Sequence, residues 1–479
     1  MKINFKKLNK MLNPKTVVVV GEKGPNYQFL SSQLDFKGNL YSVQIDKKEI
    51  PGIKKLGVKN FASLDDIPGQ IDLLIVAVPR QVAPFIAQQA IKRNVKGIHF
   101  FTAGFEETKE KIGIDLQNQL TNIMNQSDIP VIGPNCMGIY NKNLSLRFHP
   151  AQNLAEDKPN IRKQNLSFLS QSGTHGVNVT VGAQRNGINV ARAISFGNAL
   201  FVNECDLLEY LIEDKQTDII AFYLEGVKDG SRFINLIKKS NKPVLVWKGG
   251  RNNAGARAVA SHTASMASNY VIWQKLIQDS GGINVTSLDE LTNVAMLLNY
   301  KEYKIGESLA LITMTGGQSV AITDAFEDQG FVIPQLTKHS YKKLSEFFNV
   351  IGGSYRNPFD AGSTIGNDVD NLKKILKIIG QDKNIHGSLV IDMNTRIYRE
   401  SKKQYIQFLE ALNQFKKTYK MPVIIVVHAL TSTIMMTDNE KVTREAISRE
   451  VTQLAIDRGL PVFNSFNDAA KAMRLAALH

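Results

Sequence analysis

The sequence predicts an α/β protein in which three doubly wound parallel sheets follow one another along the chain. Strand-like apolar runs alternate with helix-like segments throughout, which is the pattern of parallel β–α units. The runs fall into three groups of five. Each group closes in the same way, with a short strand, a polar helix start and an amphipathic helix, as at Ser287–Glu290 before Leu291–Leu298.

The predicted strands can be read in order along the chain. The first group is Val17–Val20, Leu40–Ile45, Leu73–Val78, Gly97–Phe101 and Pro130–Ile132. The second group is Leu166–Leu169, Asn189–Ile194, Asp218–Leu224, Pro243–Trp247 and Ile283–Val285. The third group is Leu309–Ile312, Phe331–Ile333, Ser388–Asp392, Pro422–Val427 and Pro461–Phe463. Polar stretches near Ala151–Lys163 and Tyr300–Ser308 separate the groups, which predicts domains at residues 1–150, 151–303 and 304–479.

Length and composition fit several globular domains. At 479 residues the chain is long enough for about three domains, and 43% hydrophobic with 21% charged residues is typical of a soluble protein. No apolar run approaches the roughly 20 residues that span a bilayer. The basic N-terminal residues are not followed by a signal-like apolar stretch. Two cysteines, Cys136 and Cys205, in different predicted domains fit a reducing cytoplasm, so we expect a cytoplasmic protein.

The net charge of +14 would suit nucleic acid, a membrane surface or small anions. The sequence has no zinc-finger spacing, no aromatic and basic binding stripe and no amphipathic basic helix, which disfavours nucleic acid and membranes. No metal site is predicted either. Phosphate-rich ligands and an acidic partner subunit are the simpler explanations of the charge.

One histidine lies in an unusual setting. The segment Lys248–Ser265 follows the predicted strand Pro243–Trp247, and glycines and small residues surround His262. The pattern predicts a loop in which the histidine is exposed, with a helix resuming near Ala267. A neutral imidazole has a free nitrogen lone pair that can accept a phosphoryl group. The plain alternative is a histidine in a polar loop with no chemical role.

A second segment, Ser170–Gly176, lies between a predicted strand and a predicted helix at Val177–Asn186. Such a helix start offers free N–H groups to an anion, and Ser172, Gly173 and Thr174 are the predicted contacts. The alternative is an ordinary helix cap. His175 lies one residue into the helix and is expected only to flank the site.

Glu225 follows the strand Asp218–Leu224. A carboxylate at the carboxyl end of a parallel strand faces the crevice in which such folds bind ligands. Bound to one imidazole nitrogen, it would fix the tautomer and leave the other nitrogen free to attack. The alternative is a solvated loop charge.

These three segments resemble one family. Lys248–Ser265 is similar to the phosphohistidine loop of the ADP-forming acyl-CoA synthetases, relatives of succinyl-CoA synthetase, although Ala264 follows the threonine where that family commonly has glycine. Ser170–Gly176 resembles the start of the helix that receives the phosphate in the family's α subunit. The resemblance implies that His262 carries the phosphoryl group, that Ser172, Gly173 and Thr174 bind it, and that Glu225 steadies the imidazole.

The first module also resembles this family. Gly133–Gly138 is close to the Gly-Pro-Asn-Cys-x-Gly turn that lies near the thiol end of coenzyme A, and two other strand ends match the lining of its crevice. Taken alone, the cysteine of this turn would be a buried small residue. The resemblance implies a Rossmann-like module that binds coenzyme A through Gly21, Val78, Pro79, Thr102, Ala103, Gly104, Asn135 and Cys136.

Some positions depart from the family pattern. The first strand–helix turn, Gly21–Tyr27, is shortened and carries Glu22 where the family has small residues beside the ligand phosphates; Lys23, Lys47 or Lys48 would have to compensate. The turn lacks a Gly-x-Gly-x-x-Gly fingerprint, which disfavours a nicotinamide-dependent oxidoreductase. Phe201 and Asn203 stand where the family often has acidic residues near the acyl group.

The third module contains Met314–Ser319 and Arg356–Gly362, which resemble the family's ligase-CoA module. Both are otherwise only tight strand–helix connections, so no catalytic residue is assigned there. The resemblance thus implies a Rossmann-like module followed by two flavodoxin-like modules.

The implied reaction is the reversible conversion of acyl-CoA, ADP and phosphate into carboxylic acid, ATP and CoA. The sequence contains no ATP-grasp-like segment and no Gly-x-x-x-x-Gly-Lys-Ser/Thr loop. The resemblance therefore implies an α-type subunit of a hetero-oligomer, with ADP or ATP and Mg²⁺ on a separate ATP-grasp β subunit. The departures leave a second interpretation open: a non-catalytic, CoA- or acyl-CoA-binding regulatory paralogue of the family.

Overall fold

The computed structural model describes residues 3–153, 164–262, 269–299, 305–366, 368–393, 402–428 and 438–477. For residues 185, 260–262, 402 and 438–444 it describes the backbone only. Within these ranges, no helix combines the length and the apolar character needed to cross a membrane. Three sheets with flanking helices make up the described chain, which confirms the predicted α/β class.

The first sheet has six parallel strands in the order β3-β2-β1-β4-β5-β6, which is the dinucleotide-binding order. Its strands are β1 (Thr16–Val20), β2 (Asn39–Val43), β3 (Lys59–Phe61), β4 (Leu73–Val76), β5 (Ile98–Phe100) and β6 (Val131–Ile132). Its helices are α1 (Phe5–Leu12), α2 (Gln28–Ser32), α3 (Ile50–Lys55), α4 (Ala83–Lys92) and α5 (Lys111–Met124). The run of valines in β1 is buried along its whole length, because helices cover both faces of a parallel sheet.

The second sheet has the order β12-β11-β10-β8-β9-β7. Its strands are β7 (Gly138–Asn141), β8 (Asn165–Ser170), β9 (Asn189–Ser195), β10 (Ile219–Leu224), β11 (Val244–Lys248) and β12 (Ile283–Val285). Its helices are α6 (Gly173–Arg185), α7 (Glu204–Glu213), α8 (Gly230–Lys239), α9 (Asn253–His262), α10 (Tyr270–Asp279) and α11 (Leu288–Leu298). The five strands β8–β12 have the flavodoxin order, and β7 adds an antiparallel edge.

The third sheet has five parallel strands in the order β14-β13-β15-β16-β17, again the flavodoxin order. Its strands are β13 (Ala310–Thr313), β14 (Phe359–Asp360), β15 (Leu389–Asp392), β16 (Val423–Val426) and β17 (Val462–Phe463). Its helices are α12 (Gly316–Glu327), α13 (Lys338–Ser345), α14 (Gly362–Ile365), α15 (Val369–Gln381), α16 (Lys402–Tyr419), α17 (Asp438–Asp457) and α18 (Phe466–Ala477).

One predicted strand, Phe331–Ile333, is wrong. Val332 makes only an isolated parallel bridge with Ser308, and its side chain is 55% exposed. The chain turns at Gly330, with a φ of 79°, just before this bridge and meets Pro334 just after it, so too few residues remain to build a ladder. Phe359–Asp360 takes the second-strand position instead.

The described chain divides into two compact units. The first runs to Leu291 and contains the first two sheets, and the second begins at Thr292 and contains the third. Strand β7 comes from the predicted first domain but pairs with β9 of the second sheet. The two domain boundaries at residues 150 and 303 therefore remain a prediction.

A buried arginine joins the N-terminal helix to the second sheet within the first unit. Arg192 on β9 is 1% exposed, and its guanidinium donates to Asp214 Oδ2 at 2.9 Å and to the carbonyl oxygen of Leu12 at 3.1 Å. Burial raises the pKa of Asp214, but the hydrogen bond and charge of Arg192 outweigh burial and hold that pKa below its usual range. The pair stabilises this junction because each ion neutralises the other away from water.

Candidate functional site

The carboxyl ends of three neighbouring strands form one edge of the second sheet. Ser170 of β8 lies beside Tyr223 of β10, and Leu224 of β10 lies beside Lys248 of β11. The connections leaving β8 and β10 go to opposite sides of the sheet, so a crevice opens between them. Ser172 and Glu225 follow these two strand ends, and the structure thus brings two of the predicted site segments to the same edge.

The turn before α6 is built from serine hydroxyls. Ser170 Oγ donates to the carbonyl oxygen of Ser172 at 2.6 Å and accepts the N–H of Ser172 at 3.0 Å. Ser172 is the helix N-cap, and its Oγ accepts the N–H of His175 at 3.4 Å. Within the described ranges no acceptor is present for the N–H groups of Gly173 and Thr174. A helix start with unoccupied N–H groups favours an anion.

Gly173 is required by close packing. A Cβ atom at this position would lie 2.2 Å from Cγ of Met137, which is nearer than any real contact. The first turn of α6 therefore approaches the Gly133–Gly138 turn more closely than any other residue would permit.

The loop that carries Glu225 is fixed by Gln171. The amide oxygen of Gln171 accepts the N–H groups of Glu225 and, at 3.1 Å, of Gly226, while its amide nitrogen donates to the carbonyl oxygen of Gly226 at 3.2 Å. Glu225 is 6% exposed, and Tyr223 donates its hydroxyl to Oε1 of its carboxylate at 3.4 Å. Gln171 was not among the predicted site residues. Its signal in the sequence was its position directly after a strand, inside a turn already singled out.

A buried lysine ties the same loop to β11. The ammonium group of Lys248, a residue only 4% exposed, donates to the carbonyl oxygens of Glu225 at 2.8 Å and Gly249 at 2.6 Å. Burial lowers its pKa, and the negative charge of Glu225 opposes that shift. Lys248 therefore holds the ends of β10 and β11 together and places a positive charge beneath the crevice.

His175 lies against two aromatic rings. Its ring centroid is 4.4 Å from that of Tyr223 and 4.6 Å from that of Trp247. Its Nδ1 is buried and has no hydrogen-bond partner within the described residues. Burial lowers its pKa, with the charge of Glu225 opposing, which favours a neutral ring. That it only flanks the site stays a prediction.

The loop predicted around His262 is wrong over residues 253–262. A helix, α9, begins at Asn253 and includes His262 as its last residue. Asn252 starts this helix by accepting the N–H of Gly255 at 2.9 Å on its side chain. The alanines that follow are the strongest helix formers, and they outweigh the single glycine. The side chain of His262 and the residues Thr263–Ser265 lie outside the described part of the chain.

In the first module, three predicted strand ends come together. Thr102 Oγ1 donates to the carbonyl oxygen of Val78 at 2.9 Å, and its own carbonyl oxygen accepts the N–H of Asn135 at 3.0 Å. Gly21 has a φ of 75°, and a Cβ there would lie 2.3 Å from Cγ1 of Val78. A cavity of about 440 Å³ opens beside these strand ends, with Gly21 and Pro79 in its wall. Ala103 and Gly104 continue the strand end at Thr102.

Cys136 is packed rather than open. The residue is 3% exposed, its Sγ lies 3.6 Å from the carbonyl oxygen of Phe100, and burial raises the pKa of the thiol. His99 lies beside it, with Nε2 2.9 Å from the carbonyl oxygen of Cys136. Burial lowers the pKa of His99 to about 4, so the ring is neutral. The thiol is thus a structural neighbour of the crevice rather than a reactive group in it.

Glu22 has an internal role that the sequence did not reveal. Its carboxylate accepts the N–H of Phe29 at 2.6 Å and of Leu30 at 2.9 Å, at the start of α2, and the residue is 7% exposed. Burial raises the pKa of Glu22, while these two N–H groups oppose the shift. The carboxylate therefore fills the helix start that follows β1.

Two other departures from the family pattern also have structural explanations. Asn203 is the N-cap of α7, and its side chain accepts the N–H of Cys205 at 2.9 Å and of Asp206 at 3.3 Å. Phe201 packs against the core of the first module. Both side chains are thus committed to the fold.

The third module has polar groups at the carboxyl ends of its strands. Thr315 caps α12 and accepts the N–H of Gln318 at 3.4 Å. Asp360 has a buried Oδ1 without a hydrogen-bond partner in the described ranges, and burial raises its pKa. Asn357 is structural, since its amide bonds the backbone of Leu309 and Leu311. In the described part of the chain, no cluster of His, Cys, Asp and Glu could hold a metal ion.

Known domain families match both modules of the first unit. A succinyl-CoA ligase-like flavodoxin domain matches residues 163–298, and a CoA-binding domain matches residues 15–142. These matches confirm the predicted Rossmann-like and flavodoxin-like modules in that order.

Two curated relatives cover most of the chain. The α subunit of ADP-forming acetate–CoA ligase II from Pyrococcus furiosus is 31% identical over 386 residues, covering 79% of this chain and 80% of the relative. ADP-forming acetate–CoA ligase I from Archaeoglobus fulgidus is 31% identical over 391 residues, covering 80% of this chain. The chain covers only 54% of that second relative, or about half of its length.

A solved structure has the same fold. The apo form of the dinucleotide-forming acetyl-coenzyme A synthetase 1 of Ca. Korarchaeum cryptofilum superposes with a TM-score of 0.79 at 22% identity. The match covers 98% of this chain and 97% of that one. From the coverage and identity of its relatives, the chain belongs to the ADP-forming acetate–CoA ligases, a family of acid–thiol ligases.

Proposed function

We propose that the chain is the α-type subunit of an ADP-forming acyl-CoA synthetase in which His262 carries a phosphoryl group. The reaction interconverts acyl-CoA, ADP and phosphate with a carboxylic acid, ATP and CoA. One observation carries the proposal: the Glu225 loop, which Gln171 holds by its backbone, and the N–H groups of the α6 start lie at adjacent strand ends of one sheet.

Three successive bond exchanges make up the proposed reaction. A phosphate oxygen attacks the thioester carbonyl carbon, the C–S bond breaks, and CoA leaves as the thiolate with an acyl phosphate as the product. A nitrogen of His262 then attacks phosphorus, the bond from phosphorus to the acyl oxygen breaks, and the carboxylate leaves. Finally the phosphoryl group passes from the histidine to the terminal oxygen of ADP. Each step needs placement and charge stabilisation more than covalent help from the protein.

The described residues have distinct tasks in this scheme. Glu225 accepts the N–H of one imidazole nitrogen, which leaves the lone pair of the other nitrogen free and stabilises the ring as it becomes positive. The N–H groups of Gly173 and Thr174 hold the transferred phosphate. Gln171 and Lys248 keep the Glu225 loop in place.

We further propose that ADP or ATP and Mg²⁺ bind to a separate ATP-grasp β subunit. The support is that curated relatives of matching length carry the name subunit alpha. Coenzyme A is assigned to the crevice of the first module, because residues 15–142 match a CoA-binding domain and a cavity of about 440 Å³ opens there beside Gly21 and Pro79.

The direct test is transfer of radiolabelled phosphate from acetyl phosphate to the chain. We expect acid-labile, base-stable label on the wild type and none on His262→Ala. Glu225→Gln should slow labelling by about 10- to 100-fold, as removal of a residue that orients an active imidazole does. Absence of label on the wild type, or equal label on His262→Ala, would rule the proposal out.

The regulatory interpretation remains a second candidate because of one observation. Glu22 occupies the helix start beside which related folds place ligand phosphates. A chain that binds acyl-CoA but never takes label, alone or with an ATP-grasp partner and ATP, would support it.

A further inference from the structure

The crevice of the first module is a chemically unusual place for a phosphate-bearing ligand. It lies between the ends of β1 and β4, where the strand order reverses and where such folds hold a diphosphate on the N–H groups of the next helix. The cavity there measures about 440 Å³, and its wall includes Glu22, Phe29, Ala77 and Pro79.

Two of the N–H groups that a diphosphate would use are already occupied. Oε1 and Oε2 of Glu22 accept those of Phe29 and Leu30 at 2.6 and 2.9 Å. The backbone of Glu22 is fixed as well, since Gln44 donates to its carbonyl oxygen at 2.9 Å.

A second carboxylate closes the other side of the same turn. Oε2 of Glu49 accepts the N–H of Gly24 at 2.8 Å and the hydroxyl of Tyr27 at 2.8 Å. Lys23, which could have offset this negative charge, has its ammonium 3.8 Å from Oδ2 of Asp46. The carboxylates of Glu22 and Glu49 therefore occupy N–H groups on both sides of this turn.

We propose that Glu22 determines the ligand specificity of this crevice: its carboxylate takes the place of a ligand phosphate, so that the crevice accepts the neutral pantetheine part of a CoA ligand and excludes the diphosphate from the first strand–helix turn. The inference rests on the proposed binding of CoA by this module. This role of Glu22 differs from helix capping in one measurable respect. A cap affects stability alone, whereas a charge in the crevice discriminates between phosphorylated and unphosphorylated ligands.

The test is titration calorimetry of the full chain with coenzyme A and, separately, with pantetheine, which carries no phosphate. Wild type should bind the two with similar affinity. Glu22→Gln removes the charge at nearly the same size, with an amide nitrogen that cannot accept one of the two N–H groups, and Glu22→Ser frees both. We expect coenzyme A to bind about tenfold tighter to each variant, and tightest to Glu22→Ser, with pantetheine unchanged, because a like charge at contact distance is removed.

Asp66→Asn is the matched control, since it removes one exposed negative charge from the same module. It should leave both affinities unchanged. The inference is overturned if the ratio of the two affinities in both Glu22 variants stays within about twofold of the wild-type ratio. It is also overturned if neither ligand binds to any variant. Labelling of His262 does not depend on this outcome, so failure here and failure of the proposed function are distinguishable.

Discussion

Asp392 should make the stability of the third module depend on pH. The residue ends β15 and is 2% exposed. Burial raises its pKa from the ordinary 3.8 to about 7. Since one pKa unit corresponds to about 1.4 kcal/mol, an ionised Asp392 costs the folded module about 4 kcal/mol.

The sign follows from proton binding. Between the unfolded and the folded pKa the folded chain binds more protons, so the favourable contribution is complete below pH 3.8 and is lost as pH rises through about 7. The cost is about 2 kcal/mol at about pH 5 and about 4 kcal/mol at about pH 8. Asp392→Asn cannot ionise, so its stability advantage over wild type should be larger by about 2–3 kcal/mol at the higher pH.

Hydrogen exchange of peptides from β15 and β16 is the suitable measurement. Both tryptophans, Trp247 and Trp273, belong to the second module, so fluorescence does not report on the third. The protection of each variant is compared with wild type at the same pH. An advantage of Asp392→Asn that is equal at both pH values would refute the argument from burial.

Asp382 is the control with the opposite sign in the same module. Burial raises its pKa, but hydrogen bonds from Ser340, Asn384 and Thr337 outweigh burial, so the pKa is lowered overall. Its contribution is therefore present above the unfolded pKa and is lost as pH falls through the folded pKa. Asp382→Asn should destabilise the module at about pH 8 and less so in acid.

Three further predictions concern the first unit, whose unfolding in urea both tryptophans report. Gly173→Ala should destabilise by about 1–3 kcal/mol through a clash, whereas Gly182→Ala, where a Cβ meets nothing within 4 Å, should stabilise by up to about 1 kcal/mol; equal effects would contradict the packing. Arg192→Met should lower the free energy of unfolding by about 3–5 kcal/mol because it leaves the buried carboxylate of Asp214 without its counter-ion, and adding Asp214→Asn should recover part of that loss. Gln171→Leu should slow phosphate labelling by about 10- to 100-fold and, because it leaves the N–H groups of Glu225 and Gly226 without their acceptor, should also cost about 1–3 kcal/mol of stability; an unchanged labelling rate would exclude its positioning role.

The sheets were predictable because their central strands are buried on both faces and are therefore continuously apolar. Val17–Val20 and Ile219–Leu224 are unmistakable for this reason. Two of the edge strands carry no such signal. Lys59–Phe61 is half exposed and largely polar, and Phe359–Asp360 has only two residues, so neither was found.

The sequence indicated which segments form the site, but not the contacts between them. Strand ends followed by Ser172 and Glu225 indicated which residues meet at one edge of the sheet. The three hydrogen bonds of Gln171 depend on how the two connections lie against each other, which no spacing along the chain encodes. The helix that ends at His262 was missed because glycines were given more weight than the alanines between them.

The first and second sheets use the same topological position in opposite ways. In the second, Gln171 and Lys248 satisfy the backbone of the Glu225 loop, so no side chain of that loop needs the N–H groups at the start of α6. In the first, Glu22 itself takes the N–H groups at the start of α2. A helix start can hold a mobile phosphate only if the protein supplies no anion of its own. On the two proposals made above, phosphate chemistry in this unit belongs to the second sheet, and the first sheet binds the part of a ligand that carries no charge.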